Sequence, residues 1–402
     1  MTTADSLLRA IADPANRADP YPLYDELRRT PVVRQADGVY TVSTYWEVRS
    51  LLNDPRISSE TRPPVVGTPG PSKSFLRLDP AEHDRVRRIV TRPFGPPHTP
   101  RRVFEMQADM AATVGRLLDG FAGKDRVDIV DEFAYPFPIS VICRLFGVPI
   151  EDEPRFHLWT ESLLGNADLG TGETPDPHLM DGETAKIEMA GYLAELFDRH
   201  RREPSGDMFS ALATDDSPDG RLTPPELVAN AFLLLIAGHE TTVNLITNGV
   251  LTLLRHPEAL KRLRDDPGLA LPMVEELLRF EPPVQYLPNR RTLDEVEVAG
   301  TVIPKNTDVN LMLAAANRDP RRFDDPGRFV PDRPDVQHLG FGNGIHYCFG
   351  APLARLETRL ALTEFARRLK DPELVADPPP YRPNPVLRGP RHLEVSFSAM
   401  QD

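Results

Sequence analysis

From Leu227 to Leu254 the chain carries one charged residue, Glu240. An apolar run of that length either crosses a bilayer or lies buried as a helix at the centre of a folded protein. Asn230, His239, Glu240, Asn244 and Asn248 interrupt it, and such groups are expensive in lipid. The sequence holds no second segment of this kind, so the reading is a buried central helix. Its start is marked by Thr223 and Glu226 at capping-box spacing, with Pro224 and Pro225 in the first turn, where a missing N–H costs nothing. It can run to Arg255, roughly 48 Å at 1.5 Å per residue.

The rest of the sequence is mostly helical periodicity broken by proline, which supplies 43 of 402 residues. That is about twice the usual ~5 %, without a collagen-like glycine period. Asp19 to Thr30 reads as a short helix. Val39 to Ser43 and the stretch around Val296 to Ile303 read as strands. The helix at Leu78 to Arg88 is expected to be capped by Asp79, with Pro80 in its first turn and Glu82 completing a capping-box pattern. Two segments, 57–76 and 166–183, mix Pro, Gly, Ser, Asp and Thr, and loops of that length are usually lids or disordered. The expected fold class is mainly α with small β-sheets, in one domain over 1–402.

Charge and cysteine content exclude several functions. The net charge of -13, from 47 basic and 60 acidic residues, does not suit general nucleic-acid binding. Cys143 and Cys348 are too few and too far apart for a disulfide framework, so the expected compartment is reducing and cytoplasmic. The first twenty residues show no basic segment followed by a long apolar run, so neither a signal peptide nor a membrane anchor is expected.

The chemistry concentrates in Phe341 to Gly350, FGNGIHYCFG. Gly342, Gly344 and Gly350 surround Cys348. Glycine lets backbone approach a ligand closely and adopt positive φ. A helix follows, and a cysteine at a helix N-terminus is favoured as the thiolate. Cys143, inside the apolar run ISVICRLF, reads as an inert core thiol. A glycine cage around Cys348 would be poor core packing unless something approaches the sulfur.

The pattern Phe341, Gly342, Gly344, His346, Cys348, Gly350, followed by Ala351, Leu353, Ala354, Arg355 and Glu357, resembles the haem-binding loop and proximal helix of the cytochrome P450 family. The resemblance extends over 19–397. It implies the fold of that family, with haem b between the central helix and the cysteine loop and Cys348 as axial thiolate. Such ligation pushes electron density toward iron and favours O–O cleavage.

Other motifs take their meaning from the same resemblance. AGHETT places Ala237 and Thr241 on one helix face, with Gly238 leaving room beside them. Alone this is a buried polar patch. In the family it matches the oxygen-binding groove, where Glu240 and Thr241 relay the two protons that oxygen activation needs. His83 and Arg87, four apart on one helix, match contacts to the haem propionates, as do Arg290 and His346. Four cationic donors suit two buried carboxylates. Phe341, Gly342 and Ala237 match positions against the haem itself. Glu276 and Arg279, with Arg333 as third partner, match a structural ion-pair network beneath the cysteine loop.

Resemblance also implies that electrons come indirectly from NAD(P)H through a ferredoxin and its reductase. Arg85, Arg87, Arg88, Arg92, Arg101 and Arg102, with Arg355 and Arg359, form basic stretches that would steer an acidic ferredoxin. Candidate substrate walls are Leu233, Ile236, Ala237, Tyr286, Leu287 and Val386, all apolar or aromatic, so the expected substrate is a lipophilic small molecule, such as a secondary metabolite. The leading expectation is a monomeric, membrane-free monooxygenase that hydroxylates or epoxidises with O2. A peroxide-driven haem-thiolate enzyme would not need Glu240 and Thr241. A haem-binding sensor would show no turnover.

Overall fold

Thr223 and Glu226 form the expected reciprocal cap. The Glu226 Oε2 accepts from the Thr223 amide at 2.7 Å, and the Glu226 amide donates to Thr223 Oγ1 at 3.4 Å. The helix they open, Pro224–Arg255, is the longest described. Several of its polar residues find protein partners rather than lipid. Asn230 Nδ2 donates to the Glu226 carbonyl, and its Oδ1 accepts from the Phe75 amide. Thr247 and Thr252 donate to carbonyls one turn back, and Asn248 donates to the Glu281 and Arg388 carbonyls. Among the described residues no helix is long and apolar enough to cross a membrane.

The computed structural model describes residues 3–60, 73–95, 101–165, 180–217 and 220–401. Their contacts divide the chain into two compact units, and the central helix passes from one to the other between Glu240 and Thr241. Most of the two expected lids lies outside the described residues. Of their margins, Ile57–Ser58 is a short strand, and Gly182 opens a helix capped by Asp181.

The larger unit comprises Met1–Ser58, Ala108–Phe137 and Thr241–Asp402. It holds a five-stranded sheet in the order Val32–Arg34, Tyr40–Val42, Asp308–Leu311, Leu287–Thr292, Ile57–Ser58. Only the second and third strands run parallel, with Val42 opposite Leu311. The strand-like stretch around 296–303 is a hairpin of Val296–Val298 and Thr301–Ile303. Val42, Val48, Ile303, Val309, Leu311 and Leu339 close one core beside the sheet. Helices Ala270–Phe280 and Ala351–Arg368 pack together, and Gly249 of the central helix lets both come near. A Cβ there would stand 3.0 Å from Leu362 and 3.2 Å from Leu277.

The smaller unit comprises Ser59–Gln107 and Pro138–Glu240. His200, Ser205, Asp207 and Ser210 form a buried polar knot in it. His200 Nδ1 meets Ser210 Oγ at 2.7 Å, and its Nε2 meets the Gly147 carbonyl at 3.2 Å. His200, Asp207 and Ser210 are all buried, and Ser210 Oγ donates to Asp207 Oδ2 at 2.9 Å, so this serine–histidine–aspartate set is a fastening, not a nucleophile with its base. Phe146, Phe197 and Phe209 stack beside it.

One expected cap is different. The helix carrying His83 begins at Glu82, not at Pro80, and its N-cap residue is Ala81 at φ +77°. Asp79 Oδ1 accepts from the Ser59 amide at 2.9 Å, and Glu82 pairs with Arg85. A carboxylate at capping spacing has gone to a strand end instead, because the positive φ at Ala81 turns the chain before the helix starts.

Candidate functional site

In the larger unit, the loop at 341–350 is shaped by two glycines. Gly342 and Gly344 have φ of +70° and +71°, and a Cβ on Gly344 would drive into the Leu52 carbonyl. Residues Gly344–His346 make one tight turn, and the Cys348 amide returns to the Phe341 carbonyl at 2.9 Å. The helix Ala351–Arg368 starts three residues after the cysteine, so the positive end of a five-turn dipole lies beside the sulfur's segment. Cys348 is half-buried, whereas Cys143 is buried and burial pushes its thiol up to about 12. The two cysteines therefore sit in different surroundings, Cys348 part-accessible and Cys143 in the core.

The same unit brings Glu276, Arg279 and Arg333 together. Glu276 takes Arg279 Nε and Nη2 at 2.7 Å each and Arg333 Nε at 3.1 Å, and it also accepts from the Val330 amide. Arg279 reaches on to the carbonyls of Asn317, Pro326 and Arg328. The ion pair thus pins the proline-rich segment that leads into the cysteine loop.

Arg290 and His346 also lie in this unit. Arg290 is buried, on the strand Leu287–Thr292. Its neighbour Arg291 turns to the other side of the strand, where it donates to the Asn306 carbonyl. The two neighbouring arginines therefore face different sides of the strand.

In the smaller unit His83 is buried and Arg87 half-buried on one face of Glu82–Phe94. His83 Nδ1 lies 2.8 Å from Asp84 Oδ1, and Phe75 packs near both residues, 6.4 Å from the His83 ring and 5.8 Å from the Arg87 guanidinium carbon. On the central helix, Leu233, Ile236, Ala237, Gly238 and Thr241 are accessible to varying degrees, Ala237 most of all, while Leu234, Leu235, His239, Glu240 and Thr242 are buried. Accessible residues at 233, 237 and 241 form a stripe with a four-residue period in the middle of a buried helix. Gly238 lies close to Ile142, whose Cδ1 would be 2.8 Å from an added Cβ. Its missing side chain accommodates a core neighbour, not a ligand, which corrects the role expected for it.

Other expected residues divide between core and surface. Tyr286 packs partly against the cluster of Ile11, Tyr21, Tyr24 and Met312, and Leu287 against the sheet core. Burial raises the Tyr286 phenol, and Arg17 opposes that shift. Val386 is half-buried, and its carbonyl accepts from the Gln285 amide at 2.8 Å. Four of the eight arginines named for the basic stretches are paired with the chain's own carboxylates. Arg85 pairs with Glu82 and Glu226, Arg92 with Asp215, Arg101 with Glu105, and Arg355 with Glu275. The formal count of arginines therefore overstates the local positive field.

Two acids, the buried Glu281 and the part-buried Glu275, escaped sequence reasoning. Glu281 joins Arg318, Arg388 and Tyr21, residues so far apart in sequence that no spacing rule links them. Glu275 stands next to Glu276 in the middle of the helix Ala270–Phe280, where no local pattern singles it out.

A comparison with known proteins gives one answer. The Cytochrome P450 family model matches residues 32–267 and 269–397. Cytochrome P450 monooxygenase PikC of Streptomyces venezuelae is 40 % identical over 399 residues, covering 94 % of this chain and 91 % of that protein. Vitamin D(3) 25-hydroxylase of Pseudonocardia autotrophica is 39 % identical over 397 residues, 94 % of either chain. The ligand-free crystal structure of CYP164A2 from Mycobacterium smegmatis matches with a TM-score of 0.88 at 38 % identity, covering 98 % of this chain and 100 % of that one.

Proposed function

The chain belongs to the cytochrome P450 family, with that family's fold, and is a haem-thiolate monooxygenase whose cofactor is haem b; from that premise we propose that Cys348 would supply the thiolate that holds the haem iron and that the whole chain acts as one catalytic domain on a lipophilic metabolite. The carrying observation is the contrast between the cysteines. Cys348 is half-buried in a turn built on positive-φ glycines ahead of a helix, and Cys143 is a buried thiol held protonated.

When bound, haem b supplies the iron at which dioxygen is reduced and one of its oxygen atoms made reactive, with electrons from NAD(P)H through partner proteins. The chain's own groups do the rest. His83, Arg87, Arg290 and His346 would fix the two propionates by charge-assisted hydrogen bonds. Phe341, Gly342 and Ala237 would contact the haem. Glu240, buried on the central helix, would hold a proton at its carboxyl and pass it to the Thr241 hydroxyl through ordered water. Leu233, Ile236 and Ala237 would exclude water and hold apolar substrate, with Tyr286, Leu287 and Val386 contributing their accessible sides. A relative named for hydroxylating vitamin D3 supports a lipophilic substrate, and the reading extends to a role in bacterial secondary metabolism. A ferredoxin would deliver the electrons in the cytoplasm.

The test is spectroscopic. Purified holoprotein, reduced and given carbon monoxide, should show the absorption of sulfur-ligated iron, and Cys348→Ser should abolish it while Cys143→Ser leaves it intact. A histidine-type spectrum in the parent protein refutes the assignment.

A further inference from the structure

We propose that Glu275 is a positioning residue for the cysteine loop, gripping the chain on both sides of Cys348 and balancing the charge of Arg355 beside it. This rests on the reading of Cys348 as the iron ligand.

Glu275 lies on the helix Ala270–Phe280, next to Glu276. Consecutive helical residues point about 100° apart, so the two carboxylates serve different segments. Glu276 holds the proline-rich segment at Val330 and Arg333. Glu275 holds the loop itself. Its Oε1 accepts from Arg355 Nε at 2.5 Å and its Oε2 from Arg355 Nη2 at 3.0 Å, while His338 Nε2 stands 3.2 Å from the same Oε2. His338 precedes the cysteine and Arg355 follows it, so one carboxylate ties the two ends of the loop.

The neighbours extend this grip toward the sulfur. His338 Nδ1 accepts from the Gly340 amide at 3.0 Å. That bond assigns the ring proton to Nε2, from which it is donated to Glu275. Arg355 donates to the Tyr347 hydroxyl at 3.3 Å and sets its guanidinium carbon 4.6 Å from the centre of the Phe341 ring. Tyr347 is bonded to Cys348, and the Phe341 carbonyl accepts the Cys348 amide. Every contact of Arg355 on the loop thus falls on a residue that itself touches the cysteine backbone.

The arrangement is also electrically balanced. Removing the carboxylate leaves a part-buried guanidinium facing the loop, and removing the guanidinium leaves a part-buried carboxylate there. A positive charge near the iron favours its reduced state and a negative charge the oxidised state. The two single substitutions should therefore move the midpoint potential in opposite directions, which a purely structural contact would not do.

The experiment is a dye-mediated redox titration of substrate-free holoprotein without any partner protein. Glu275→Gln should raise the midpoint potential, Arg355→Gln should lower it, and the double variant should return close to the parent value. The carbonyl complex of E275Q should also lose part of its sulfur-ligated band. If E275Q takes up no haem, the comparison of R355Q with the double variant carries the same test, because neutralising Glu275 in that background must raise the potential. Potentials that stay within error of the parent, or that shift in the same direction in both single variants, overturn the proposal. If the parent itself lacks a sulfur-ligated carbonyl complex, it is the Cys348 assignment that fails.

Discussion

Glu276 and Arg279 form a two-point ion pair in which neither side chain is exposed to solvent at all. The two N–H···O distances are both 2.7 Å, and both side chains have 0 % exposure. Burial pulls the Arg279 guanidinium below its ordinary value, and Glu276 opposes that shift. Arg333 shares the same carboxylate.

Replacing Glu276 with Gln would strand two guanidiniums with one neutral acceptor. A broken buried pair costs about 3–5 kcal/mol. Arg279→Lys should also be costly, because an ammonium cannot span the two carboxylate oxygens and three carbonyls as the planar fork does. Urea denaturation of the holoprotein reads the cost, and haem retention after gel filtration reads its effect on the loop. A Glu276→Gln protein within about 1 kcal/mol of the parent would show that this network does not hold the fold.

Gly344 tests the loop's backbone. Its φ of +71° disfavours any side chain by about 1–2 kcal/mol, and the Leu52 carbonyl blocks the Cβ as well. Gly344→Ala should lower the melting temperature and reduce the sulfur-ligated fraction of the carbonyl complex. Gly115 is the control: it sits inside the helix Gln107–Asp119 with no atom within 4 Å of an added Cβ. Gly115→Ala should be neutral or stabilise by about 0.5–1 kcal/mol. Equal losses from both substitutions would refute the special role of Gly344.

Glu357 gives a pH prediction with a definite sign. It belongs to the pattern that follows the cysteine, yet it is buried, its Oε2 has no hydrogen-bond partner, and burial raises its carboxyl well above the ordinary 4.5. A raised acid is easier to keep neutral when folded than it is when unfolded. Its stability contribution is therefore fully present below about pH 4.5 and is lost as pH rises toward the folded value. Glu357→Gln cannot titrate. The parent should therefore lose stability relative to this variant as pH rises from 5 to 8. Denaturant midpoints for both proteins at the two pH values measure it, and a difference that is flat with pH would show that Glu357 is ionised in the fold.

How much of this was legible in the sequence depends on the range of the interaction. The Thr223–Glu226 cap and the Glu276–Arg279 pair close within one helical turn, so spacing placed the cap and, together with the family resemblance, the ion pair. The cysteine loop was legible because positive-φ glycines leave a residue-type signature. Asp79 was misread because a carboxylate three residues before a helical stretch satisfies the same local rule whether it caps that helix or a strand end elsewhere. Gly238 was misread because an absent side chain does not say whether a ligand or a core isoleucine fills the space. The grip of Glu275 on His338 and Arg355, and that of Glu281 on Arg318 and Arg388, depend on packing between distant segments. No local pattern encodes such pairings.

The proton relay is open to a direct trial at Thr241. This residue is accessible on the central helix while the adjacent Glu240 is buried, so the hydroxyl is the accessible end of the pair and the carboxylate the shielded end. Thr241→Ala keeps the helix, which favours alanine, and removes only the hydroxyl. Reducing equivalents should still be consumed, but more of them should leave as hydrogen peroxide and fewer as oxygenated product. Thr241→Ser should restore most of the coupling, since it keeps the hydroxyl. Glu240→Gln should slow turnover more than it uncouples it, because water can still reach Thr241 but protons are replenished less readily. Peroxide release and product formation measured together, per equivalent of reductant, separate these outcomes. If the ratio in Thr241→Ala matches that of the parent, the hydroxyl carries no proton and the relay assigned to this pair is wrong.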